Sequence, residues 1–383
     1  MMSQMDYWLK DQQARGVDID AAKAKLKKLD IHVPLWLYRD TGTRFGRVHQ
    51  EDSATADNIF EVAAALHKIT GCLSSIVAGG AVAPEDVART KARAEANGLK
   101  VSTVHGSYTT SEGLYYGSLT NATSAIRKEF TEYMLKQIEA MRVYGAKYLS
   151  IWLPDGTNFP GQGNFIDRKK WLIECLQEAY DHLDPDMIML LEYKFFEPAF
   201  YHTDISDWGT ACALCRRLGP QAKVIMDFGH HAQGTNVEHI LANLIDENML
   251  GALHVNASKY GDDDLIAGAH QPYRLFLIFL ELVLAERYSG FDMADIALTV
   301  DQCLTMEKKM PGTIMTVENV QIAYAKALLV NLDKLKELQM KNDVVGAAMT
   351  LKDAFECDVR PLLRMVRAES GLPVDPFAAV AGL

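Results

Sequence analysis

The sequence predicts a (β/α)8 barrel, and two observations support this fold class. Eight short β-rich runs occur along the 383 residues, and helical sequence separates each run from the next. Short, continuously apolar strands are typical of a parallel sheet that helices cover on its outer face. A closed barrel is favoured over a doubly wound sheet because no Gly-x-Gly-x-x-Gly motif follows the first run.

Each predicted strand ends near polar residues or glycine, as expected where a strand enters a loop. The eight strands are predicted at 33–38, 74–80, 100–106, 147–153, 188–194, 223–229, 251–257 and 296–301.

The segments between the strands carry apolar residues at helical spacing. The clearest helix lies at 85–97, between Pro84 and Gly98, a proline and a glycine at the positions that favour a helix start and stop. Segment 271–286 is apolar on nearly every side, which predicts burial on several sides and a contact between subunits. Further helices are predicted at 120–144, 164–182, 206–218 and 236–247.

The chain is predicted to form one domain with helical extensions. Residues 1–30 are expected to form an amphipathic N-terminal helix, 31–311 the catalytic barrel, and 312–383 a mainly helical C-terminal extension. Both extensions exceed what a barrel needs, and we expect them to pack against a neighbouring subunit.

Composition narrows the partners and the compartment. The net charge is -11, the acidic residues are scattered along the chain, and the basic residues form no stripe. This pattern argues against a nucleic-acid partner. No apolar run is long enough to cross a membrane and no signal core begins the chain, so a cytoplasmic protein is expected. Six dispersed cysteines argue against a disulfide framework. Cys212 and Cys215 favour helix packing, with a redox or metal role as the alternative.

Candidate metal ligands stand at four successive strand ends. Strand five ends near Glu192, strand six near Asp227, strand seven carries His254 and strand eight ends with Asp301. The C-terminal ends of barrel strands converge on one mouth, so these side chains are expected to meet.

The following loops add His230 and the acidic run Asp262, Asp263 and Asp264. So many carboxylates in one mouth need neutralising cations, and two divalent ions balance the charge better than one. Carboxylates and histidines without cysteine favour Mn²⁺, Mg²⁺ or Co²⁺ over structural Zn²⁺.

Each motif also has a simpler interpretation. A carboxylate in a strand is often only a satisfied polar group, a DxxH pair arises by chance, and the acidic run fits a solvated turn. His231 is expected to be structural and to point away from the mouth. The remaining histidines are assigned to the surface or to helices: His32, His49, His67, His182, His202, His239 and His270.

Four long motifs resemble the bacterial L-rhamnose isomerase family of broad sugar specificity, which is related to xylose isomerase. The similarity runs from about residue 99 to the C-terminus. The motifs are IWLPDGTNFPGQ (151–162), LEYKFFEPAFYHTDISDWGT (191–210), MDFGHHAQGTNVE (226–238) and HVNASKYGDDDLIAGAHQPYRLFLIFLELV (254–283).

The resemblance implies a homotetrameric barrel enzyme with two divalent ions per subunit, commonly Mn²⁺. It assigns Glu192, Asp227, His254 and Asp301 to a structural ion. It assigns Asp227 as a bridge, with His230, Asp262 and Asp264, to a catalytic ion.

The resemblance also implies substrate contacts. Trp152 would supply an apolar wall and Lys194 would donate to the first-carbon oxygen, while ordinary packing and a salt bridge are their simpler roles. Asp301 is expected to serve catalysis as well as metal binding. His105 is the strand-three histidine at the position where a ring-opening residue is expected. The run Val255-Asn256-Ala257 departs from the Phe-Asn-Asp that the family often shows.

The implied reaction is the interconversion of L-rhamnose and L-rhamnulose, with D-allose, L-mannose or L-lyxose as further substrates. One alternative is a sugar epimerase on the same barrel, which typically uses one metal and two glutamates. The other is a non-catalytic, metal-stabilised sugar-binding protein.

Overall fold

Eight parallel strands lie side by side in chain order and form a nearly closed barrel. The computed structural model describes residues 4–40, 42–43, 46–47, 51–80, 83–106, 116–196, 202–260 and 264–382. The barrel strands are β1 Val33–Pro34, β2 Ser75–Gly79, β3 Lys100–His105, β4 Tyr148–Ile151, β5 Ile188–Glu192, β6 Ala222–Asp227, β7 Leu250–Val255 and β8 Ala297–Val300.

The helices surround this barrel and extend it at both ends of the chain. They are α1 Gln4–Ala14, α2 Ile19–Lys27, α3 Ile59–Thr70, α4 Pro84–Ala96, α5 Ser124–Tyr144, α6 Phe165–Tyr180, α7 Trp208–Leu218, α8 Val237–Asp246, α9 Pro272–Tyr288, α10 Lys309–Leu328, α11 Leu332–Met340, α12 Val344–Phe355, α13 Arg360–Glu369 and α14 Pro376–Val380. One helix from α3 to α10 follows each strand in turn, so the predicted (β/α)8 fold is confirmed.

All eight predicted strands are present, but β1 is shorter than predicted. It ends at Pro34, and residues 35–38 form a 3-10 turn. Proline has no backbone N–H to donate to a neighbouring strand, so the ladder stops there. Trp36 therefore lies in the turn, where it is 44% exposed, rather than in the strand.

The helical predictions need three corrections. Within the predicted N-terminal helix 1–30, the described residues 4–30 form two helices instead of one, because the chain turns at Gly16 with a φ of 78° and α2 starts after the N-cap Asp18. Helix α3 was not predicted, although its buried residues Ile59, Ala63 and Leu66 recur at helical spacing. Helix α10 starts at Lys309 and is the eighth barrel helix, so residue 312 falls inside its first turn.

The apolar helix α9 is buried mainly by its own chain. Helices α8 and α10 flank it, and Phe355 of α12 contacts Tyr273 and Phe276 with ring centroids 4.9 and 5.5 Å apart. These contacts confirm the predicted burial on several sides. A contact of α9 with another subunit stays a prediction.

The cysteine pair lies in a helix, as its simpler interpretation predicted. Cys212 and Cys215 are both buried in α7 with free thiols. Burial raises the pKa of each thiol, which keeps both protonated and unreactive.

His32 corrects an assignment to the surface or a helix. It is 6% exposed and closes the barrel through a parallel bridge to Thr299. Its N–H donates to the Leu298 oxygen at 2.7 Å, and the Val300 N–H donates to its oxygen at 2.9 Å. Burial lowers the pKa of its ring to about 4. A residue that joins the first strand to the last must lie inside the wall.

None of the helices within the described ranges is both long and apolar enough to cross a bilayer.

Candidate metal centre

Four acidic and imidazole side chains meet at the C-terminal mouth of the barrel. Glu192 and Asp227 are the last residues of β5 and β6, His254 lies one residue before the end of β7, and Asp301 directly follows β8. One ligand atom from each residue lies within 4.8 Å of the ligand atoms of the other three. The convergence predicted for these four strand ends is therefore present.

Strand register explains the convergence. Asp227 pairs directly with His254, and His254 pairs with Thr299, two residues before Asp301. Glu192 pairs with Ile225, two residues before Asp227. Residues two apart in a strand point to the same side, so all four side chains turn into the barrel.

The imidazole of His254 lies among three carboxylates without a hydrogen bond of good geometry. Its Nδ1 is 3.0 Å from an Asp301 oxygen, 3.2 Å from a Glu192 oxygen and 3.9 Å from an Asp227 oxygen, yet this buried nitrogen has no hydrogen-bond partner. Close approach without hydrogen-bond geometry fits ligands aimed at a common point. This set of oxygen and nitrogen donors fits a divalent cation.

Burial and the neighbouring charges shift the pKa values of Asp227, His254 and Glu192. Burial raises the pKa of Asp227 to about 6, and Glu192 and Asp301 contribute to the rise. Burial lowers the pKa of His254, but the same two carboxylates outweigh that effect and raise it well above its usual value. Burial also acts to raise the pKa of Glu192, while His254, His230 and Lys194 bring it down to about 2.

His230 lies beside the four-residue group in the orientation of a ligand. The Tyr193 carbonyl lies 3.0 Å from Nδ1, so Nδ1 carries the proton in the neutral ring. This tautomer leaves Nε2 as the nitrogen with a lone pair, 3.8 Å from an Asp227 oxygen. Such a backbone hydrogen bond is the usual orienting contact of a metal-binding histidine.

The rest of the second predicted ligand set is only partly described. Asp262 and its neighbour Asp263 lie outside the described residues. Asp264 does not join the four-residue group; its carboxylate accepts from the Cys303 thiol at 3.7 Å, and its φ of 45° is in the left-handed region. Its role as a ligand stays a prediction.

Lys194 and Trp152 lie together at the mouth. The Lys194 ammonium is 5.1 Å from the centre of the Trp152 ring, a cation–π contact. Trp152 follows β4 and Lys194 lies two residues after β5, so both stand in loops just beyond the strands predicted to contain them. Lys194 is only 7% exposed, so its charge acts at short range within the mouth.

His105, the last residue of β3, also faces the centre. Burial lowers its pKa, while the charges of Glu192 and Asp301 act to raise it. The net lowering favours the neutral ring at pH 7, the form that accepts a proton.

Asn256 is a site residue that sequence reasoning missed. Its amide donates to both Asp227 oxygens, at 3.0 and 2.8 Å, and the Gly229 N–H donates to one of them at 2.6 Å. These bonds fix the carboxylate from behind. The signal was available: Asn256 follows His254 by two residues and therefore points to the same side of the barrel.

His231 is held outside the ligand group. Its Nε2 lies 2.6 Å from the Tyr193 hydroxyl, and the two rings meet edge to face. Burial lowers the pKa of its ring to about 3. This contact fits the structural role that was predicted.

Comparison with known proteins places this geometry in context. Residues 70–275 match a family described as the xylose isomerase-like TIM barrel. A probable sugar isomerase of Mesorhizobium japonicum is 38% identical over 371 residues, covering 95% of this chain and 86% of the relative. A probable sugar isomerase of Rhizobium meliloti is 37% identical over 378 residues, with the same coverage.

Solved structures show the same fold at low identity. A D-tagatose 3-epimerase-like protein superimposes with a TM-score of 0.57 and 12% identity, over 78% of this chain and 99% of that chain. The 3-keto-D-glucoside 4-epimerase of E. coli gives 0.53 and 14%, over 77% and 99%. At this identity the likeness shows the barrel architecture alone.

Proposed function

Because the chain belongs to the xylose isomerase-like TIM-barrel family, we propose that it is a divalent-metal-dependent aldose–ketose isomerase of the L-rhamnose isomerase type. Its substrates would be L-rhamnose and L-rhamnulose, with D-allose, L-mannose or L-lyxose as further sugars. The observation that carries the proposal is the four-residue ligand group at the mouth, beside a buried lysine and an aromatic wall.

We propose two divalent ions, Mn²⁺ in each site with Co²⁺ or Mg²⁺ as substitutes, because carboxylate and imidazole donors suit these metals. When bound, such ions act as a template and Lewis acid for the oxygens on the two adjacent sugar carbons, which exchange oxidation states in the reaction. Glu192, Asp227, His254 and Asp301 would hold the first ion. Asp227, His230, Asp262 and Asp264 would hold the second.

The other mouth residues would bind the sugar and manage its protons. Lys194 would donate a hydrogen bond to the first-carbon oxygen as negative charge develops there. Trp152 would exclude water from the apolar face of the sugar. Neutral His105 would accept the proton of the anomeric hydroxyl at its ring nitrogen and return it to the ring oxygen as the bond between that oxygen and the first carbon breaks.

An epimerase is the second candidate, and one observation favours it. The described part of the chain contains one complete ligand group of four residues, which a single-metal enzyme would also use. The two activities differ in their products, because an isomerase converts an aldose to a ketose whereas an epimerase inverts one carbon and leaves the carbonyl in place.

The decisive experiment is ketose formation from a panel of about a dozen aldoses. EDTA treatment should abolish turnover and Mn²⁺ should restore it, and Asp227→Asn should lose several orders of magnitude in rate. Asp246→Asn, at the exposed end of α8, is the matched control and should keep full activity. Full turnover by metal-free protein would overturn the proposal. If no aldose gives a ketose, while ketoses offered in place of the aldoses are converted to other ketoses, the epimerase is favoured.

Hydrogen transfer can follow a hydride shift or an enediol. Running the reaction in deuterated water separates them, because an enediol exchanges the migrating hydrogen with solvent. Heavy deuterium incorporation into the product would exclude a pure hydride shift.

We propose a cytoplasmic homotetramer as the working form. All six cysteines are free, which supports a location in the reducing cytoplasm, because disulfides form and persist mainly in oxidising compartments. The assembly is the one that the resemblance to L-rhamnose isomerases implies.

A further inference from the structure

A buried ionic cluster ties together the loops that follow β3, β4 and β5. Its centre is Arg168 of α6, which is 3% exposed and binds Asp204 through two parallel bonds, Nε to Oδ1 at 3.0 Å and Nη2 to Oδ2 at 2.6 Å. Fork-to-fork contacts of this kind fix direction as well as distance. The cluster lies outside the metal ligands.

Arg168 also reaches the other two loops. Its Nη2 donates to the Thr120 hydroxyl at 2.7 Å and to the Gly156 oxygen at 3.2 Å, and its Nη1 donates to the Tyr116 oxygen at 3.2 Å. One side chain therefore binds residues that follow β3, β4 and β5. This is more than a single ion pair needs for its own stability.

Asp155 strengthens the same junction. It is 2% exposed and accepts four hydrogen bonds, from the N–H and hydroxyl of Ser118 and of Thr120, between 2.7 and 3.0 Å. There is little spare room: a Cβ on Gly117 would lie 2.4 Å from the Thr120 hydroxyl, and this glycine has a φ of 100°.

The residues on either side of Asp204 hold the backbone of Lys194. The Lys194 N–H donates to the Ile205 oxygen at 2.9 Å, and the Thr203 hydroxyl donates to the Lys194 oxygen. The Asp204 N–H donates to the backbone carbonyl oxygen of Asp155 at 2.9 Å. Asp155 lies three residues beyond Trp152 in the same loop. Fixing Asp204 therefore fixes the main chain of Lys194 and the loop of Trp152 together.

A short antiparallel ladder completes the tie between the two loops. Gly156 pairs with Thr203, and Thr157 pairs with His202. Two residues on each side make a weak ladder by themselves, so the neighbouring Arg168–Asp204 pair supplies the rigid part of the junction.

We propose that Arg168 and Asp204 are positioning residues that hold Lys194 against Trp152, and so fix the sugar relative to the metal ligands. This inference rests on the proposed function and deepens it, because it assigns sugar orientation to a cluster separate from the ligand group. The contact at stake is the 5.1 Å approach of the Lys194 ammonium to the Trp152 ring.

The test uses a paired variant, Arg168→Met with Asp204→Leu, in the full-length Mn²⁺-loaded enzyme. Removing both charges avoids leaving one of them buried and unpaired. We expect kcat/KM for the best aldose to fall about 10- to 100-fold, because small misplacements of catalytic groups have effects of this size. The decrease should lie mainly in kcat, while Mn²⁺ affinity, measured by titration calorimetry, stays within about twofold.

The matched control is Arg142→Met with Asp184→Leu. This pair has the same fork of two bonds, with Nε to Oδ2 at 3.1 Å and Nη2 to Oδ1 at 3.0 Å. It is more exposed, and it joins the end of α5 to the turn before β5, far from the mouth. Its removal should leave kcat/KM within about twofold of wild type.

A second variant covers the case in which the paired variant does not fold. Arg168→Lys keeps the charge but loses the fork, so it should retain Mn²⁺ affinity and show a smaller decrease in kcat than the paired variant. Wild-type kcat/KM in Arg168→Lys, or in a folded paired variant, would overturn the positioning role. Equal losses of Mn²⁺ affinity and turnover would overturn it as well, because they indicate a general structural role.

Wild-type activity on the aldose panel is measured first. No ketose from any aldose would count against the proposed function. Ketose formation by wild type together with an unaffected folded variant would count against the positioning role alone.

Discussion

At the scale of single residues, the centre is defined by charges that burial makes costly. Asp227 is fully buried, Glu192 is 4% exposed and His254 is 8% exposed. Like charges this close cannot all ionise without a compensating cation. Protons on Asp227 and His254 therefore compete with metal for the same positions.

This competition predicts how Mn²⁺ affinity depends on pH. The pKa of Asp227 is raised to about 6 and that of His254 is also raised, so both groups bind protons more readily in the folded, metal-free protein. Metal must displace these protons, and each proton released weakens binding about tenfold per pH unit of acidification. Affinity should therefore fall from pH 7.5 to 6.5 and more steeply below 6, as measured by calorimetric titration. Constant affinity down to pH 5 would contradict the ligand set.

Asn256 gives a second prediction at this scale. Asn256→Ala removes both amide contacts to Asp227, and loss of an outer partner typically lowers metal affinity or activity about 10- to 100-fold. Mn²⁺ titration and the kcat of the variant would measure the effect. Asn243→Ala is the control, since Asn243 donates only to a backbone oxygen of its own helix α8. Equal effects of the two substitutions would mean that Asn256 does not orient the carboxylate.

The four candidate metal ligands were predictable from the sequence, whereas the pair Arg168 and Asp204 was not. Glu192, Asp227, His254 and Asp301 follow from strand ends, because parallel strands bring their tips to one mouth. Arg168 and Asp204 lie 36 positions apart, on a helix and in a loop, and no spacing rule relates them. Only the fold shows that they meet.

At the scale of elements, the hydrophobic spacing in the sequence predicted where strands and helices lie better than it predicted the residues at which they begin and end. All eight strands were found, but Trp152 and Lys194 proved to lie beyond β4 and β5. Strand ends depend on which neighbours remain available for pairing, and the local sequence does not contain that information. Helix α3 was missed although the spacing of its buried residues, such as Ile59, Ala63 and Leu66, is helical.

Helix α9 carries a prediction about stability. Burial raises the pKa of Glu281 from its ordinary value of 4.5 to about 6, and the charge of Glu238 adds to the rise. A raised carboxyl pKa means that the folded state binds the proton more tightly. This contribution is fully present below pH 4.5 and is lost as pH rises through 6.

Glu281→Gln should therefore increase the free energy of unfolding at pH 7.5 by about 1 kcal/mol, allowing for the partial exposure of the side chain. The gain should be much smaller at pH 4.5. Urea unfolding at both pH values would measure it, with Glu247→Gln, at the exposed C-terminal end of α8, as the control. Destabilisation at pH 7.5 would show that the charged form of Glu281 is favourable.

At the scale of the whole molecule, the candidate metal ligands and the proposed sugar contacts come from different parts of the barrel. Strands β5 to β8 position the four candidate metal ligands, whereas His105, Trp152 and Lys194, the proposed sugar contacts, come from β3 and from the loops after β4 and β5. The barrel and this division were predictable from the order of strands and helices. The homotetramer stays a proposal, because α9 is already covered by α8, α10 and α12 of its own chain.

The barrel closes at the bridge between His32 and Thr299, where β1 meets β8. Two backbone bonds join β1 to β8 there, while longer ladders join the other neighbouring strands on the ligand side. Asp301 directly follows β8, next to this bridge. A cation shared with Glu192, Asp227 and His254 would therefore link the β8 side of the bridge to strands β5, β6 and β7, which are joined by longer ladders. We therefore expect metal removal to loosen the barrel first between β1 and β8.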